Sequence, residues 1–260
     1  MTRWTLTRHV TSGGGLDRDD GPMMDASCID PARFAGQSDD WILSQPIGAG
    51  RSGEARLDEV RLGDWFELQT AASDEPGLDT VVIRGDVGRF SHIGGNLASG
   101  QIMVDGNVGD FLGSAVGGNR TGLSGGRIVV SGNAGSHVGH RMRRGEIWIG
   151  GDAGDFLAAH MVAGTIAVAG SAGPDLAIGM RRGTVLLSEM PELPSGRFTA
   201  PIRSRYLFGS LISVPEMSFF QQGCASIDRL IHRLCGEWAI SRRGDRAVGG
   251  QGEVVSGIDR

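Results

Sequence analysis

The residues best equipped for chemistry are a handful of histidines, two aspartates in matching positions and two arginine pairs. The histidines are His9, His92, His137, His140, His160 and His232. His137 and His140 are three residues apart, and His160 lies in the stretch that follows. A metal centre needs three or four such ligands to converge, with carboxylate or thiolate help. No Asp, Glu or Cys recurs beside these histidines at metal spacing, so no metal site is expected. Asp110 and Asp155 hold equivalent positions with Ser136 between them. That puts them about 9.6 Å apart if the intervening segments stack as strands, a poor geometry for paired-carboxylate catalysis. No G-x-S-x-G occurs with recognisable triad partners. All 25 basic residues are arginine, which rules out a P-loop lysine and a Schiff-base lysine. The expected catalytic set is empty.

The arginines are better placed. Arg143 and Arg144 precede Gly145, Arg181 and Arg182 precede Gly183, and Val162-Ala163 holds the same position between them. Arg141 and Arg120 add to this side. Stacked guanidinium groups make a surface for carboxylates. Two readings stay open: a contact for a partner or an acidic, polyglutamate-like ligand, and an edge kept soluble by charge.

These positions recur because residues 80–188 repeat one pattern. Strand-like lines start at Thr80, Gln101, Arg127, Glu146, Thr165 and Thr184, and Gly-x-x-Gly corners follow the first five. The corners begin at Gly85, Gly106, Gly132, Gly151 and Gly170, at intervals of 21, 26, 19 and 19 residues. A fixed period near this length marks a stacked-repeat architecture. The second column (Val81, Ile102, Ile128, Ile147, Ile166, Val185) and the fourth (Ile83, Val104, Val130, Ile149, Val168, Leu187) are aliphatic. The polar first column alternates with them, which predicts one buried and one wet face. Val87, Val108, Ala134, Ala153 and Ala172 at the corners, and Met142, Met161 and Met180 late in the regular repeats, are further inward columns. The expected fold is all-β: a single-stranded parallel, right-handed β-helix solenoid. An irregular N-terminal segment and a C-terminal amphipathic helix complete it. The corner residues Asp86, Asn107, Asn133, Asp152 and Ser171 read as turn chemistry rather than a calcium repeat, whose period is shorter and richer in Asp.

The organisation expected is residues 1–79 as N-terminal segment and cap, 80–188 as the repeat, and 189–260 as arm, helix and tail. Trp4 to Thr7 reads as an edge strand, Trp41 to Leu43 as a short strand or turn, and Trp65 to Leu68 as strand. The helix is set by Ile227, Leu230, Ile231, Leu234, Cys235 and Trp238 at helical spacing, with Ser226 as N-cap. Residues 242–260, rich in Gly and Arg, read as a mobile or partner-ordered tail. The 26-residue repeat carries an insertion around Gly117 to Gly122, read either as a contact loop or as a plain bulge. A net charge of −5 offers no overall basic field for nucleic acid or membrane, and no apolar run suits a membrane span or a secretion signal. Three cysteines, odd in number and without C-x-x-C spacing, suit a reduced cytoplasmic setting.

The phrase Ile147-x-Ile149-Gly-Gly151-Asp-Ala-Gly154-Asp-Phe-x-Ala-Ala159-x-Met161, with Met-Arg-Arg-Gly at Met142 to Gly145 and Met180 to Gly183, resembles the C subunit of formylmethanofuran dehydrogenase. It resembles still more the matching C subunit of the bacterial formyltransferase/hydrolase complex. The repeat is shared with the C-terminal domain of glutamate synthase. The resemblance implies a non-catalytic structural subunit partnered by amidohydrolase-like and formyltransferase subunits. That complex converts formyl-tetrahydromethanopterin through formylmethanofuran to formate in one-carbon metabolism. A methanofuran-type cofactor and tetrahydromethanopterin serve the complex, and none is expected to be bound by this chain. The alternatives are the C subunit of a dehydrogenase or a glutamate synthase-like spacer domain. No catalytic residue carries over position by position.

Overall fold

The computed structural model describes residues 1–9, 23–49, 60–72, 77–204, 224–234 and 238–257. In chain order the strands and helices are β1 (Thr2–Arg8), β2 (Met24–Asp25), α1 (Pro31–Phe34), α2 (Asp39–Leu43), β3 (Gly48–Ala49) and β4 (Phe66–Ala72). The repeat supplies β5 (Thr80–Arg84), β6 (Phe90–Ser91), β7 (Gln101–Asp105), β8 (Arg127–Val130), β9 (Glu146–Ile149), β10 (Thr165–Val168) and β11 (Thr184–Leu187). Then come β12 (Ile202–Ser204), α3 (Ala225–Leu234), β13 (Ala239–Gly244) and β14 (Gly252–Gly257).

The six strand-like lines are strands, and they pair in the expected register. Val81 lies on Ile102, Ile102 on Ile128, Ile128 on Ile147, Ile147 on Ile166 and Ile166 on Val185. Stacking at about 4.8 Å places each β-branched side chain on its own kind, and both aliphatic columns are buried, as are Met142, Met161 and Met180. Glycine is required where one rung's corner touches the last. Gly106 has φ +151°, and a Cβ there would come within 2.3 Å of the Gly85 carbonyl oxygen. The corner Asx residues do turn chemistry. The side-chain oxygens of Asn107, Asn133 and Asp152 accept from the backbone N–H of Asn133, Asp152 and Ser171 on the next rung, at 2.7–2.8 Å.

The expected closed, single-stranded β-helix is corrected. The strands form one mixed sheet of eleven, in the order β12-β13-β14-β11-β10-β9-β8-β7-β5-β1-β4, beside a three-stranded sheet β3-β2-β6. A second line of contact, Val87–Val108–Ala134–Ala153–Ala172, consists of isolated bridges, one residue per rung. Small residues at a tight corner leave too little extended chain for a further full sheet. Both ends of the large sheet turn antiparallel: β4 against β1, and β13 and β12 beyond β14.

The flanks also differ from expectation. β1 is no edge strand, because it pairs in parallel with β5 and antiparallel with β4. Residues 41–43 close helix α2, capped by the Ser38 hydroxyl accepting from Trp41 N–H. The C-terminal part is not organised as a helix. α3 is a ten-residue interlude, Ala225–Leu234, that contains Ser226 rather than being capped by it; Trp238 stands outside it, and Cys235 lies outside the described residues. Residues 242–257 of the supposed tail instead supply half of β13 and all of β14, with β14 continuing the parallel stack as Val254 on Val185. Asp245, fully buried, stands at that hairpin. Its carboxylate accepts from Gly179 N–H at 3.0 Å and Ala247 N–H at 2.9 Å, and it pairs with Arg197. Burial pushes its carboxyl up, but the Arg197 guanidinium and these N–H donors outweigh it and hold the group below the usual carboxylate range.

The repeat strands of the sheet are dry on both faces. Behind the aliphatic columns lies the main core, which also takes in Trp4, Phe34, Phe66 and Phe90. On the other face Val82, Met103, Val129, Trp148, Ala167 and Leu186 are covered by Ile227, Leu230 and Leu234 of α3. Two-sided burial is the normal state of parallel strands. The polar first column is correspondingly drier than expected, with Thr80 and Gln101 buried. Among the described residues no helix is long and apolar enough to cross a membrane.

Candidate functional site

Two corners of the stack gather the arginines and the histidine and phenylalanine rings. At the first, the backbone pairs Arg143 with Leu123, Val162 with Met142, and Arg181 with Met161. Arg143-Arg144 and Arg181-Arg182 therefore occupy the same corner two rungs apart, with the part-exposed Val162 between. All four arginines are exposed. The structure thus brings together the arginines that the sequence singled out. Arg141 lies closer to the second corner, and Arg120 is exposed on the insertion.

The second corner was not read from the sequence. At one position per rung the backbone turns left-handed: His92, Phe111, His137, Phe156 and Asp175 have φ of 58–61°. Non-glycine residues rarely sit there, and the first four are planar rings. Their spacing matches the rung, so they stack. His92 and Phe111 centroids are 4.8 Å apart, Phe111 and His137 4.7 Å, and His137 and Phe156 4.8 Å. The signal was present. Phe111, His137 and Phe156 each stand two residues after a corner glycine, and His92 joins them because the first repeat is two residues longer there.

His140 meets His137 at 6.0 Å and His160 at 5.4 Å, both edge to face. Burial pushes its pKa down to about 4, helped by Arg141, His160 and His137. Its Nδ1 is buried with no hydrogen-bond partner among the described residues. Burial likewise lowers the His92 pKa, against the pull of Asp25 and Asp110. Beside the rings runs a second column, Asp25–Ser91–Asp110–Ser136–Asp155, fixed by β2 pairing with β6 and by backbone bonds from His92 to Asp110, Phe111 to Ser136 and His137 to Asp155. Asp110 and Asp155 are two rungs apart, and Asp110 Oδ1 accepts from Ser136 N–H at 2.7 Å. The three histidines 137, 140 and 160 are neighbours, yet among the described residues no group of three or more His, Cys, Asp or Glu side chains is set to hold a metal. Cys28 and Cys224 are buried free thiols, both with pKa pushed up to about 11 chiefly by burial.

A cleft of about 570 Å³ opens at the head of the ring stack, lined by Asp25, His92, Asp110, Phe111, His140 and Arg141 among others. The insertion forms its rim. Residues Gly117 to Arg120 are exposed, and Asn119 Nδ2 donates to Asn96 Oδ1 at 3.3 Å.

The likeness drawn from the sequence is met by known proteins. No protein-family model matches the chain. The C subunit of the tungsten-containing formylmethanofuran dehydrogenase 2 of Methanothermobacter wolfeii is 36% identical over 91 residues, 35% of this chain and 32% of that protein. Its counterpart from Methanothermobacter thermautotrophicus is 35% identical over the same length. The match spans about a third of the length of these curated relatives. Among solved structures, a chain of the formyltransferase/hydrolase complex (FhcABCD) from Methylorubrum extorquens, determined with methylofuran, is similar along its whole length. The TM-score is 0.55 at 27% identity, over 98% of this chain and 100% of that one.

Proposed function

We propose that this chain is the structural C subunit of a formyltransferase/hydrolase complex. In this reading it positions an amidohydrolase-like and a formyltransferase subunit, and formyl groups pass from tetrahydromethanopterin to a methanofuran-type cofactor and leave as formate. The observation that carries it is the end-to-end structural match, which includes the β1/β4 start and the β13/β14 finish as well as the repeat. The chain itself performs no step, and it works in the cytoplasm with its partners. The shorter match to the dehydrogenase's C subunit favours a second reading, in which the same scaffold serves formylmethanofuran oxidation. Coexpression with formyltransferase and amidohydrolase subunits of the first complex tests the choice. Stable copurification and formate release from formyl-tetrahydromethanopterin are expected, and a chain that assembles only with a tungsten- or molybdenum-pterin subunit would reverse it.

In this proposal the arginine edge meets carboxylates of a partner or of an acidic cofactor tail. Exposed pairs contribute about 0–1 kcal/mol each, and more where an interface excludes water. Changing Arg143, Arg144, Arg181 and Arg182 together to Gln is expected to leave the isolated chain within about 0.5 kcal/mol of the parent. Complex assembly, or cofactor affinity, should weaken in a salt-sensitive way. Unaltered assembly and turnover at low and high salt would reduce the edge to a solubility device.

A further inference from the structure

We propose that the cleft at the head of the ring stack binds a small, flat molecule carrying an uncharged amide. The inference rests on the cleft alone and stands apart from the reading of the complex. Its volume, about 570 Å³, falls within the range of small-molecule sites, which pair apolar walls with a few converging polar groups. The walls include His92 and Phe111, with Met23 and Ala115, and they suit a flat unsaturated skeleton. Both rings are held in left-handed backbone at φ 59° and 61°, as is Arg141 at 58°. Such conformations persist where the surrounding structure imposes them, and they gather at ligand sites.

The polar groups specify the rest. Asp25 and Asp110 each spend Oδ1 on a backbone N–H, of Ser27 at 2.8 Å and Ser136 at 2.7 Å. Among the described residues no hydrogen bond engages the second oxygen of either, which leaves it to an incoming donor. On the opposite count, Arg141 supplies N–H groups and His140 supplies one more. The His140 Nδ1 is buried without a partner among the described residues, and a neutral imidazole carries one N–H, so with the proton on Nε2 the ring donates to an incoming oxygen. A ligand must therefore offer N–H groups to carboxylates and an oxygen to cationic or imidazole donors. An amide carries both on one carbon. An ammonium group would face Arg141, and a carboxylate would face Asp25 and Asp110.

Nicotinamide is the probe, with nicotinate as its acidic counterpart, and the readout is the imidazole C–H signals of the full chain by NMR. Nicotinamide at millimolar concentration is expected to shift the His92 and His140 signals to saturation. Nicotinate should bind at least about tenfold more weakly, the loss of one charge-assisted hydrogen bond. Asp110→Asn should weaken nicotinamide binding, and His140→Phe, which keeps the ring but removes its donor, should do the same. Signals unmoved by nicotinamide, equal affinity for nicotinate, or saturation unchanged in both variants would overturn the proposal. The comparison of the two probes uses the unaltered protein, so a variant that fails to fold leaves the test intact.

Discussion

The ring corner and the arginine edge are built by the same stacking, and they use it in opposite ways. Rings occupy four successive rungs, each about 4.8 Å from the next. Arginine pairs occupy alternate rungs, with Val162-Ala163 interposed. A parallel stack brings like onto like, so it rewards side chains that attract their own kind. Offset rings gain about 0.5–1.5 kcal/mol per pair. Two like charges at one rung's spacing lose about 1 kcal/mol in water, whereas at two rungs they stand near the screening length of about 8–10 Å. The aspartates follow the same rule, because Asp110 and Asp155 are separated by Ser136. Where charges do sit on adjacent rungs they are opposite: Arg127 Nε bonds Glu146 Oε2 at 3.0 Å.

The most damaging test removes what both corners depend on. Ile147 is fully buried between Ile128 and Ile166, so Ile147→Asp should cost more than about 4 kcal/mol by burying an unpaired charge. Denaturant unfolding would check this. Glu146→Gln, one residue away, should cost only about 1 kcal/mol through the Arg127 pair and the Trp148 Nε1–H bond. Comparable losses for the two would refute the register.

The next test separates the corners. His137→Ala removes the ring shared by two stacked pairs and should destabilise by about 1–3 kcal/mol, while His137→Phe should recover most of it. Conversely, Val162→Arg fills the skipped rung and should cost about 1–2 kcal/mol at low salt, with the loss shrinking as salt is added. A salt-independent loss would mean that packing, and not charge, keeps that rung apolar.

The gentlest test is titration. His140 has a folded pKa near 4, below the ordinary imidazole value of 6.5. The unfolded chain therefore binds the proton first, and stability should fall as pH drops from about 6.5 to 4 and level off below. Asp245, held below the usual carboxylate range, contributes stability above its unfolded value that is lost only at still lower pH. Thermal unfolding across pH 4–7 should show a slope that His140→Phe flattens. An unchanged slope would assign the loss to other groups.

The aliphatic columns were legible because period-two alternation repeats in six segments, and the arginine edge because it recurs at a fixed offset. The closed solenoid was not borne out, since corner residues such as Ala153 and Ala172 look inward in any stacked repeat yet form only single bridges here. The strands at 242–257 escaped notice because Arg242, Arg243 and four glycines mask the alternation that ends in Val254-Val255, and their pairing with Leu187 and its neighbours spans some seventy residues. Ring stacking went unseen because His and Phe differ in every sequence-level property except planarity. The likeness to formylmethanofuran-related subunits was legible in Ile147 to Met161 together with the repeated Met-Arg-Arg-Gly at Met142 to Gly145 and Met180 to Gly183. No counterpart of the cleft was, since Asp25 comes from the N-terminal segment and His140 from the fourth repeat strand's lead-in.

The antiparallel margins have a consequence for solubility. A parallel stack ending on its own repeat would offer the next copy a template of matching hydrogen-bond polarity, and growth could continue without limit into a filament. Among the described residues the outermost strands are β4, carrying exposed Glu67 and Gln69, and β12, only three residues long. Each runs against its neighbour, so a newcomer's repeat strands would meet reversed polarity at either margin. The chain terminates its own crystal-like order from both sides, and a variant that lost β4, or both β12 and β13, would be the place to look for fibres.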